Sequence, residues 1–152
     1  MKSDVKDDKE YESDKKYKAD KVNKDDKYDK YDKYDKDLAV LLAEMKEYGE
    51  ANHVPIINAK GLHVLTETVA QKRPRRVLEI GTAIGYSTLY IAANGADDVE
   101  IVTLELSDER ADEAEGFIKR SRFAGQITIV RGDAGENILR QSGRFDLVFI
   151  DA

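Results

Sequence analysis

Apolar and polar residues from Leu38 onward follow two periods in turn. Segments with apolar residues every three or four positions, typical of amphipathic helices, alternate with short, nearly continuous apolar runs, typical of buried strands. The predicted helices are 38–51, 59–71, 86–94, 108–122 and 136–141, and the predicted strands are 76–80, 100–106, 126–130 and 145–150. This alternation predicts an α/β fold in which helices flank a parallel sheet.

The last predicted strand reads FDLVFI and is followed by Asp151 and Ala152. Its apolar residues predict a strand that is buried on both faces and that places the Asp151 carboxylate at its carboxyl end. Ligands bind outside the carboxyl ends of the strands in sheets of this kind. The segments that follow the four predicted strands are therefore the candidate site: residues 79–87, Glu105, Asp133 with Ala134, and Asp151.

Residues 1–37 differ in composition from the rest of the chain. They contain twelve Lys, eleven Asp and two Glu, with a net charge of −1. Since they contain few aliphatic residues, we expect a low-complexity tail that is disordered or partly helical where it joins the fold. The repeat YDKYDKYDK at 28–36 allows two interpretations, an RNA contact through Tyr and Lys or a solvated segment, and its equal number of acids favours the second.

Residues 38–152 form the predicted folded domain, with a net charge of −5. This acidity argues against a general nucleic-acid binder. The chain has no Cys, which excludes disulfides and thiolate metal sites. No apolar run approaches the roughly 20 residues that span a bilayer, and the amino terminus lacks the apolar core of a signal peptide. We therefore expect a cytoplasmic protein with no membrane partner.

The segment EIGTAIGYS, residues 79–87, contains Gly81 and Gly85 in a G-x-x-x-G pattern. Glycines here allow a tight turn and a close approach of the backbone to a ligand. The spacing differs from the G-x-G-x-x-G of dinucleotide sites, and Glu79 would repel a pyrophosphate. A cationic ligand therefore fits better than a diphosphate, and a nicotinamide-dependent oxidoreductase is disfavoured.

Glu105 ends the second strand, 24 residues after Gly81. An acid at this spacing can accept hydrogen bonds from both hydroxyls of a ribose, although alone it would be read as a solvated strand end. Asp133, in the sequence GDA, could accept a hydrogen bond from the amine of an adenine. GD is also a common turn sequence, so this second signal is weak.

These motifs together resemble one family of enzymes. The segments are VPII at 54–57, VLEIGTAIGYS at 77–87, TLEL at 103–106, GDA at 132–134 and FDLVFIDA at 145–152. They resemble the cation-dependent O-methyltransferases, which are class I S-adenosylmethionine (SAM) dependent methyltransferases and include the catechol and caffeoyl-CoA enzymes. The VPII segment resembles most the bacterial branch that methylates 5-hydroxyuridine in tRNA. The resemblance covers residues 38–152 and implies a Rossmann-like, class I methyltransferase fold.

The resemblance also implies a role for each candidate residue. At the methionine end of SAM, the resemblance places Ile57 and Asn58, with Glu79 and Gly81 near the amino-acid part and Ser87 at its carboxylate. At the nucleoside end it places Glu105 at the ribose, and Asp133 and Ala134 at the adenine. Asp151 would contact both the cofactor and a Mg²⁺ ion, as first metal ligand and catalytic residue. The family pattern has a Lys after the final DA and an Asp-Asn pair further on. We therefore expect a chain truncated after its fourth strand, next to a missing fifth, with an incomplete Mg²⁺ site, no activity and marginal stability.

The expected function of the family member is Mg²⁺-dependent methylation of 5-hydroxyuridine in tRNA by SAM. A catechol-like small molecule is the alternative substrate, because it too offers two neighbouring oxygens that chelate Mg²⁺. A second alternative is a catalytically inactive fragment that only binds the cofactor. A homodimer is a further expectation, since members of the family often pair.

Overall fold

The computed structural model describes residues 35–151, which form a four-stranded parallel sheet and five α-helices. The helices are α1 (Asp35–Ala51), α2 (Ala59–Lys72), α3 (Tyr86–Asn94), α4 (Asp108–Ile118) and α5 (Ala134–Ile138), and the strands are β1 (Arg76–Ile80), β2 (Glu100–Glu105), β3 (Ile127–Arg131) and β4 (Leu147–Ile150). The predicted α/β architecture is confirmed. The Tyr-Asp-Lys repeat lies almost entirely outside the described residues, so the interpretation of the tail stays a prediction.

The strands lie in the order β3-β2-β1-β4, so β1 is an interior strand between β2 and β4. Val77 of β1 is in register with Ile101 on one side and with Leu147 on the other. Since crossovers between parallel strands are right-handed, α3 and α4 lie on one face of the sheet and α5 on the other. All four strands run in the same direction, which brings their carboxyl ends to one edge of the sheet.

Helices α1 and α2 pack against α3 and extend the layer on that face. The apolar stripe of α1, Leu38, Leu41, Leu42 and Met45, is buried as its spacing predicts. Helix α2 is capped at its amino end by Asn58, whose side chain accepts a hydrogen bond from the amide of Gly61. The inner face of α4 is also as predicted, with buried Ala111, Ala114, Phe117 and Ile118.

The bounds of three helices differ from the prediction by more than one residue, and the first of these is α1, which begins at Asp35 and not at residue 38. Helix α4 ends at Ile118 and not near residue 122, because the amides of Arg120 and Ser121 bond to the carbonyls three residues earlier and so tighten the last turn. Helix α5 was predicted at 136–141 and forms at Ala134–Ile138. It begins earlier because the side chain of Asp133 accepts a hydrogen bond from the amide of Glu136 and caps it.

Strand β4 is not buried on both faces, which corrects the expectation from its apolar sequence. Leu147 and Phe149 pack against the core on the face that carries α3, whereas Val148 is 51% and Ile150 68% exposed. Among the described residues, only the short α5 covers the second face. Within residues 35–151, β4 pairs with β1 alone. No helix in this part of the chain is long and apolar enough to cross a membrane.

Candidate functional site

A cavity of about 1080 Å³ lies at the carboxyl ends of the strands. Its walls are the segment between α1 and α2, the turn after β1, the end of β2 and the start of α4. The predicted site residues that line it are Ile57, Asn58, Gly81, Glu105, Asp133, Ala134 and Asp151. Residues from five separate segments therefore meet here, at the place where a sheet of this kind binds its ligand.

Glu79 and Ser87 are predicted site residues that do not line the cavity. The side chain of Glu79 is fully buried beneath it, and its Oε1 accepts a hydrogen bond of 2.6 Å from the Ser87 hydroxyl. Its Oε2 accepts hydrogen bonds from the hydroxyls of Thr88 and Thr103. In this arrangement the Ser87 hydroxyl is a hydrogen-bond donor to Glu79. Contacts of either side chain with a cofactor stay predictions.

The hydroxyl of Thr82 extends this buried network, since it lies 2.6 Å from the hydroxyl of Thr103. Thr103 has one hydroxyl hydrogen and donates it to Glu79, so Thr82 is the donor of the second bond. Burial raises the pKa of Glu79, and the three hydrogen bonds to its carboxylate oppose this shift, while the negative charge of Asp151 adds to it. The network ties β1, β2 and α3 together below the glycine turn.

The turn after β1 has a backbone that glycine allows. Gly81 and Gly85 have φ angles of 98° and 83°, in the left-handed region. A Cβ atom at Gly85 would lie 3.1 Å from Cδ1 of Ile118, which packs directly beneath the turn. Ala83, between the two glycines, also has a positive φ of 46°. This conformation brings the backbone of the turn close to the cavity.

Glu105 is held by two backbone amides at the end of β2. The amide of Ala83 donates to Oε2 over 2.8 Å, and the amide of Ser107 donates to Oε1 over 2.9 Å. Each carboxylate oxygen can accept a second hydrogen bond. Glu105 is only partly exposed and lines the cavity, so its remaining acceptor sites are held in a fixed place for the hydroxyls of a ligand.

Asp133 and Asp151 follow the two outer strands and face the same cavity. Only Oδ1 of Asp133 is used to cap α5. The amide of Asp151 donates to the carbonyl of Ile80 over 2.9 Å, which continues the pairing of β4 with β1 to the cavity. Residues 35–151 contain no group of three or more His, Asp or Glu side chains that could hold a metal ion. Asp151 is therefore not part of such a group within residues 35–151.

Several cavity residues were not predicted, and two of them lie beside Glu105. Leu106, which is 73% exposed, and Arg110, in the first turn of α4, both line the wall beside Glu105. The sequence holds a signal for Arg110, because Glu113 stands three residues later and side chains at this spacing meet on a helix. Arg110 was missed because an arginine on a charged helix is usually solvated.

The comparison with protein families decides the family. The O-methyltransferase family model matches residues 18–152, most of the chain. The chain belongs to the O-methyltransferase family. The match begins within the segment predicted as a tail, and the boundary at residue 38 stays a prediction.

Curated relatives of this O-methyltransferase family member include catechol O-methyltransferases. The Mycobacterium tuberculosis enzyme is 40% identical over 79 residues, which are 51% of this chain and 36% of that protein. The Niastella koreensis enzyme is 32% identical over 118 residues, which are 74% of this chain and 53% of that protein. The chain thus spans between about a third and about half of the length of these relatives.

Solved structures of the family share the fold. An O-methyltransferase from Bacillus cereus in complex with S-adenosylhomocysteine (SAH) has a TM-score of 0.68 and 29% identity, with 74% of this chain and 54% of that chain covered. The O-methyltransferase TomG from Streptomyces achromogenes, in complex with SAM, has a TM-score of 0.65 and 27% identity, with 74% and 53% covered. These similarities confirm the predicted class I methyltransferase fold.

Proposed function

We propose that this O-methyltransferase family member binds SAM in the cavity at the carboxyl ends of its strands and supports methyl transfer to a substrate oxygen. The observation that carries the proposal is Glu105, whose carboxylate is fixed by the amides of Ala83 and Ser107 and keeps an acceptor site on each oxygen. Two neighbouring acceptors suit the two hydroxyls of a ribose. The SAH- and SAM-bound structures with the same fold support the choice of cofactor.

The other cavity residues fit the remaining parts of SAM. With the ribose at Glu105, Asp133 and Ala134 at the end of β3 receive the adenine, and Ile57, Asn58 and Gly81 receive the methionine part. The sulfonium carries a positive charge, and the carboxylate of Asp151 in the cavity wall favours a cation. The wall carries three acids, Glu105, Asp133 and Asp151, and two bases, Lys60 and Arg110, and this excess of acids matches a cationic cofactor better than a phosphate-bearing one.

When bound, SAM would supply an electrophilic methyl group, which an ionised substrate oxygen would take in an in-line displacement that converts the sulfonium to a neutral thioether. Such a step needs the oxygen held about 3–3.5 Å from the methyl carbon. The proposed substrate has two neighbouring oxygens, and 5-hydroxyuridine in tRNA is the substrate we expect from the sequence resemblance. A catechol is the second candidate, supported by the names of the relatives from Mycobacterium tuberculosis and Niastella koreensis.

A Mg²⁺ ion is part of the proposed family chemistry, in which it would lower the pKa of the substrate hydroxyl. Mg²⁺ needs several oxygen ligands in a near-octahedral arrangement. The described residues do not fit this requirement, since they contribute Asp151 and no group of three metal-binding side chains. No step is therefore assigned to the ion in residues 35–151.

Calorimetric titration of the 152-residue chain with SAH tests the cofactor site. We expect saturable binding, and absence of binding to a folded sample would overturn the proposal. Transfer of labelled methyl groups from SAM to hydroxyuridine-containing tRNA or to catechol then distinguishes the two substrates. Binding of SAH without transfer to either substrate would instead favour the alternative of a module that only binds the cofactor.

A further inference from the structure

Arg110 is one of two cations, with Lys60, in the wall of a cavity whose acids suit a cationic cofactor. It lies in the first turn of α4 and lines the cavity together with Glu105 and Leu106. An unrestrained guanidinium at this wall would be attracted to the Glu105 carboxylate, which keeps an open acceptor site on each oxygen. A planar guanidinium pairs with two carboxylate oxygens at once, so it would occupy the two sites that a ribose needs.

Two other residues hold the guanidinium away from this position. Nη1 of Arg110 donates to Oε2 of Glu113 over 2.6 Å, and the hydroxyl of Tyr48 donates to Oε1 of Glu113 over 2.6 Å. The side chains of Arg110 and Glu113 are only 28% and 19% exposed, so solvent screens this pair less than an ordinary pair on a helix surface.

Tyr48 fixes the far end of this chain of contacts. It lies in the last turn of α1, and its ring packs edge-on against Phe117 of α4, with ring centroids 5.4 Å apart. The hydrogen bond to Glu113 raises the pKa of Tyr48, and the ion pair with Glu113 raises the pKa of Arg110. Tyr48 and Arg110 therefore keep, at neutral pH, the protons that they donate to Glu113.

From these contacts we infer that Glu113 and Tyr48 are positioning residues for cofactor binding. They hold the Arg110 guanidinium along α4 and so keep the acceptor sites of Glu105 open for a ribose. The inference rests on the proposed SAM site, and it adds the requirement that Arg110 be held away from Glu105. Its defining consequence is that loss of Glu113 harms binding only while Arg110 is present.

The test is a double-mutant cycle of SAH binding on the full 152-residue chain, measured by calorimetry. Glu113→Ala frees the guanidinium, and we expect SAH affinity to fall by about tenfold, the effect of one competing charged contact. Arg110→Ala removes the competitor, so this variant should bind at least as tightly as the wild type. The double variant Glu113→Ala/Arg110→Ala should bind within about threefold of Arg110→Ala, since well-coupled neighbours are non-additive.

The opposite pattern would overturn the inference. If the double variant binds as weakly as Glu113→Ala, Glu113 acts through the packing of α1 on α4. If Arg110→Ala alone loses as much affinity as Glu113→Ala, Arg110 contacts the ligand directly. Failure of the wild type to bind SAH would instead overturn the proposed function, which keeps the two failures distinct.

Tyr48→Phe provides a milder variant should Glu113→Ala fold poorly. It removes one hydroxyl, keeps the ring against Phe117 and leaves the ion pair in place. We expect a loss of SAH affinity smaller than that of Glu113→Ala, and again no loss when Arg110→Ala is added. A loss that persists in the Arg110→Ala background would contradict the inference. Thermal unfolding of each variant separates loss of affinity from loss of fold.

Discussion

The amide of Ala83 and the carboxylate of Glu105 are joined by a hydrogen bond of 2.8 Å across the cavity wall. The bond links the turn after β1 to the end of β2, so one side chain shapes the turn and also offers acceptor sites to a ligand. Ala83 has a left-handed backbone with φ 46°, a conformation that costs a non-glycine residue about 1 kcal/mol or more. The Glu105 carboxylate compensates for this strain by holding the Ala83 amide in place.

Replacement of Glu105 should therefore affect both binding and the turn. For Glu105→Ala we expect SAH affinity to fall by about 100-fold, because two acceptor sites for the ribose are lost and the amide of Ala83 loses its partner. Calorimetric titration measures the loss. Glu109→Ala is the matched control, since Glu109 is an exposed acid in the same helix turn as Arg110 and does not line the cavity. Equal affinities of the two variants would contradict the assignment of Glu105.

Gly85 and Gly116 should respond to replacement by alanine with opposite changes in the free energy of unfolding. Gly85→Ala places a Cβ at φ 83° and 3.1 Å from Cδ1 of Ile118, so we expect the free energy of unfolding to fall by about 1–3 kcal/mol. Gly116→Ala, in the interior of α4, meets no atom within 4 Å and should raise it by up to about 1 kcal/mol through helix propensity. Urea denaturation at pH 7 measures both changes. A Gly85→Ala variant as stable as Gly116→Ala would show that the turn is not held as described.

Glu79 should make the stability of the fold depend on pH. Burial raises its pKa above the ordinary 4.5, so the folded state binds more protons than the unfolded state between 4.5 and the folded pKa. The free energy of unfolding therefore falls as pH rises through this window. The stabilising contribution of the raised Glu79 pKa is fully present only below pH 4.5. Glu79→Gln removes the titration and keeps the side-chain size.

Chemical denaturation of wild type and Glu79→Gln at several pH values from 4.5 to 8 measures this effect. The wild type should lose stability relative to the variant as pH rises, and the difference should then level off. A stability difference that is constant across the range would mean that the hydrogen bonds from Ser87, Thr88 and Thr103 balance the cost of burial. A difference that shifts toward the wild type as pH rises would mean that these bonds outweigh that cost.

Removal of divalent metal should leave SAH binding by the 152-residue chain unchanged. The residues proposed for the nucleoside part of the cofactor are Glu105, Asp133 and Ala134, and none depends on an ion. Titrations with excess EDTA and with excess MgCl₂ should give the same affinity within about twofold, a difference of less than 0.5 kcal/mol. A Mg²⁺-dependent increase that Asp151→Asn abolishes would instead show that Asp151 binds the ion together with the cofactor.

Much of this fold follows from local sequence signals. The bounds of β1 and α3 agree with the prediction because Gly81 and Gly95 mark the ends of β1 and α3. The predicted end of α4 was wrong because the charged residues after Ile118 continue a helical pattern, while the amides of Arg120 and Ser121 bond to carbonyls three residues earlier. The exposure of Val148 was missed, since an apolar strand does not show from its sequence which face a helix will cover.

The site was predictable to a similar degree. Glycine spacing and strand-end acids pointed to Glu105 and Asp133, because parallel strands place such residues at one edge. The same reasoning did not show that Glu79 is buried beneath the cavity, where the hydroxyls of Ser87 and Thr103 donate to its carboxylate. Long-range pairs such as Tyr48 with Glu113, 65 residues apart, also have no local signature.

The strand order gives the two halves of the cavity unequal resistance to local opening. Gly81 and Glu105 follow β1 and β2, which have paired neighbours on both sides, whereas Asp133 and Asp151 follow β3 and β4, which pair on one side within residues 35–151. Amide hydrogens of interior strands exchange with solvent only in large openings, and those of outer strands exchange in small ones. Exchange should therefore be slowest beneath Glu105, the proposed ribose acceptor, and fastest near Asp151, so the part of the cavity around Glu105 should persist in states in which β4 has already separated from β1.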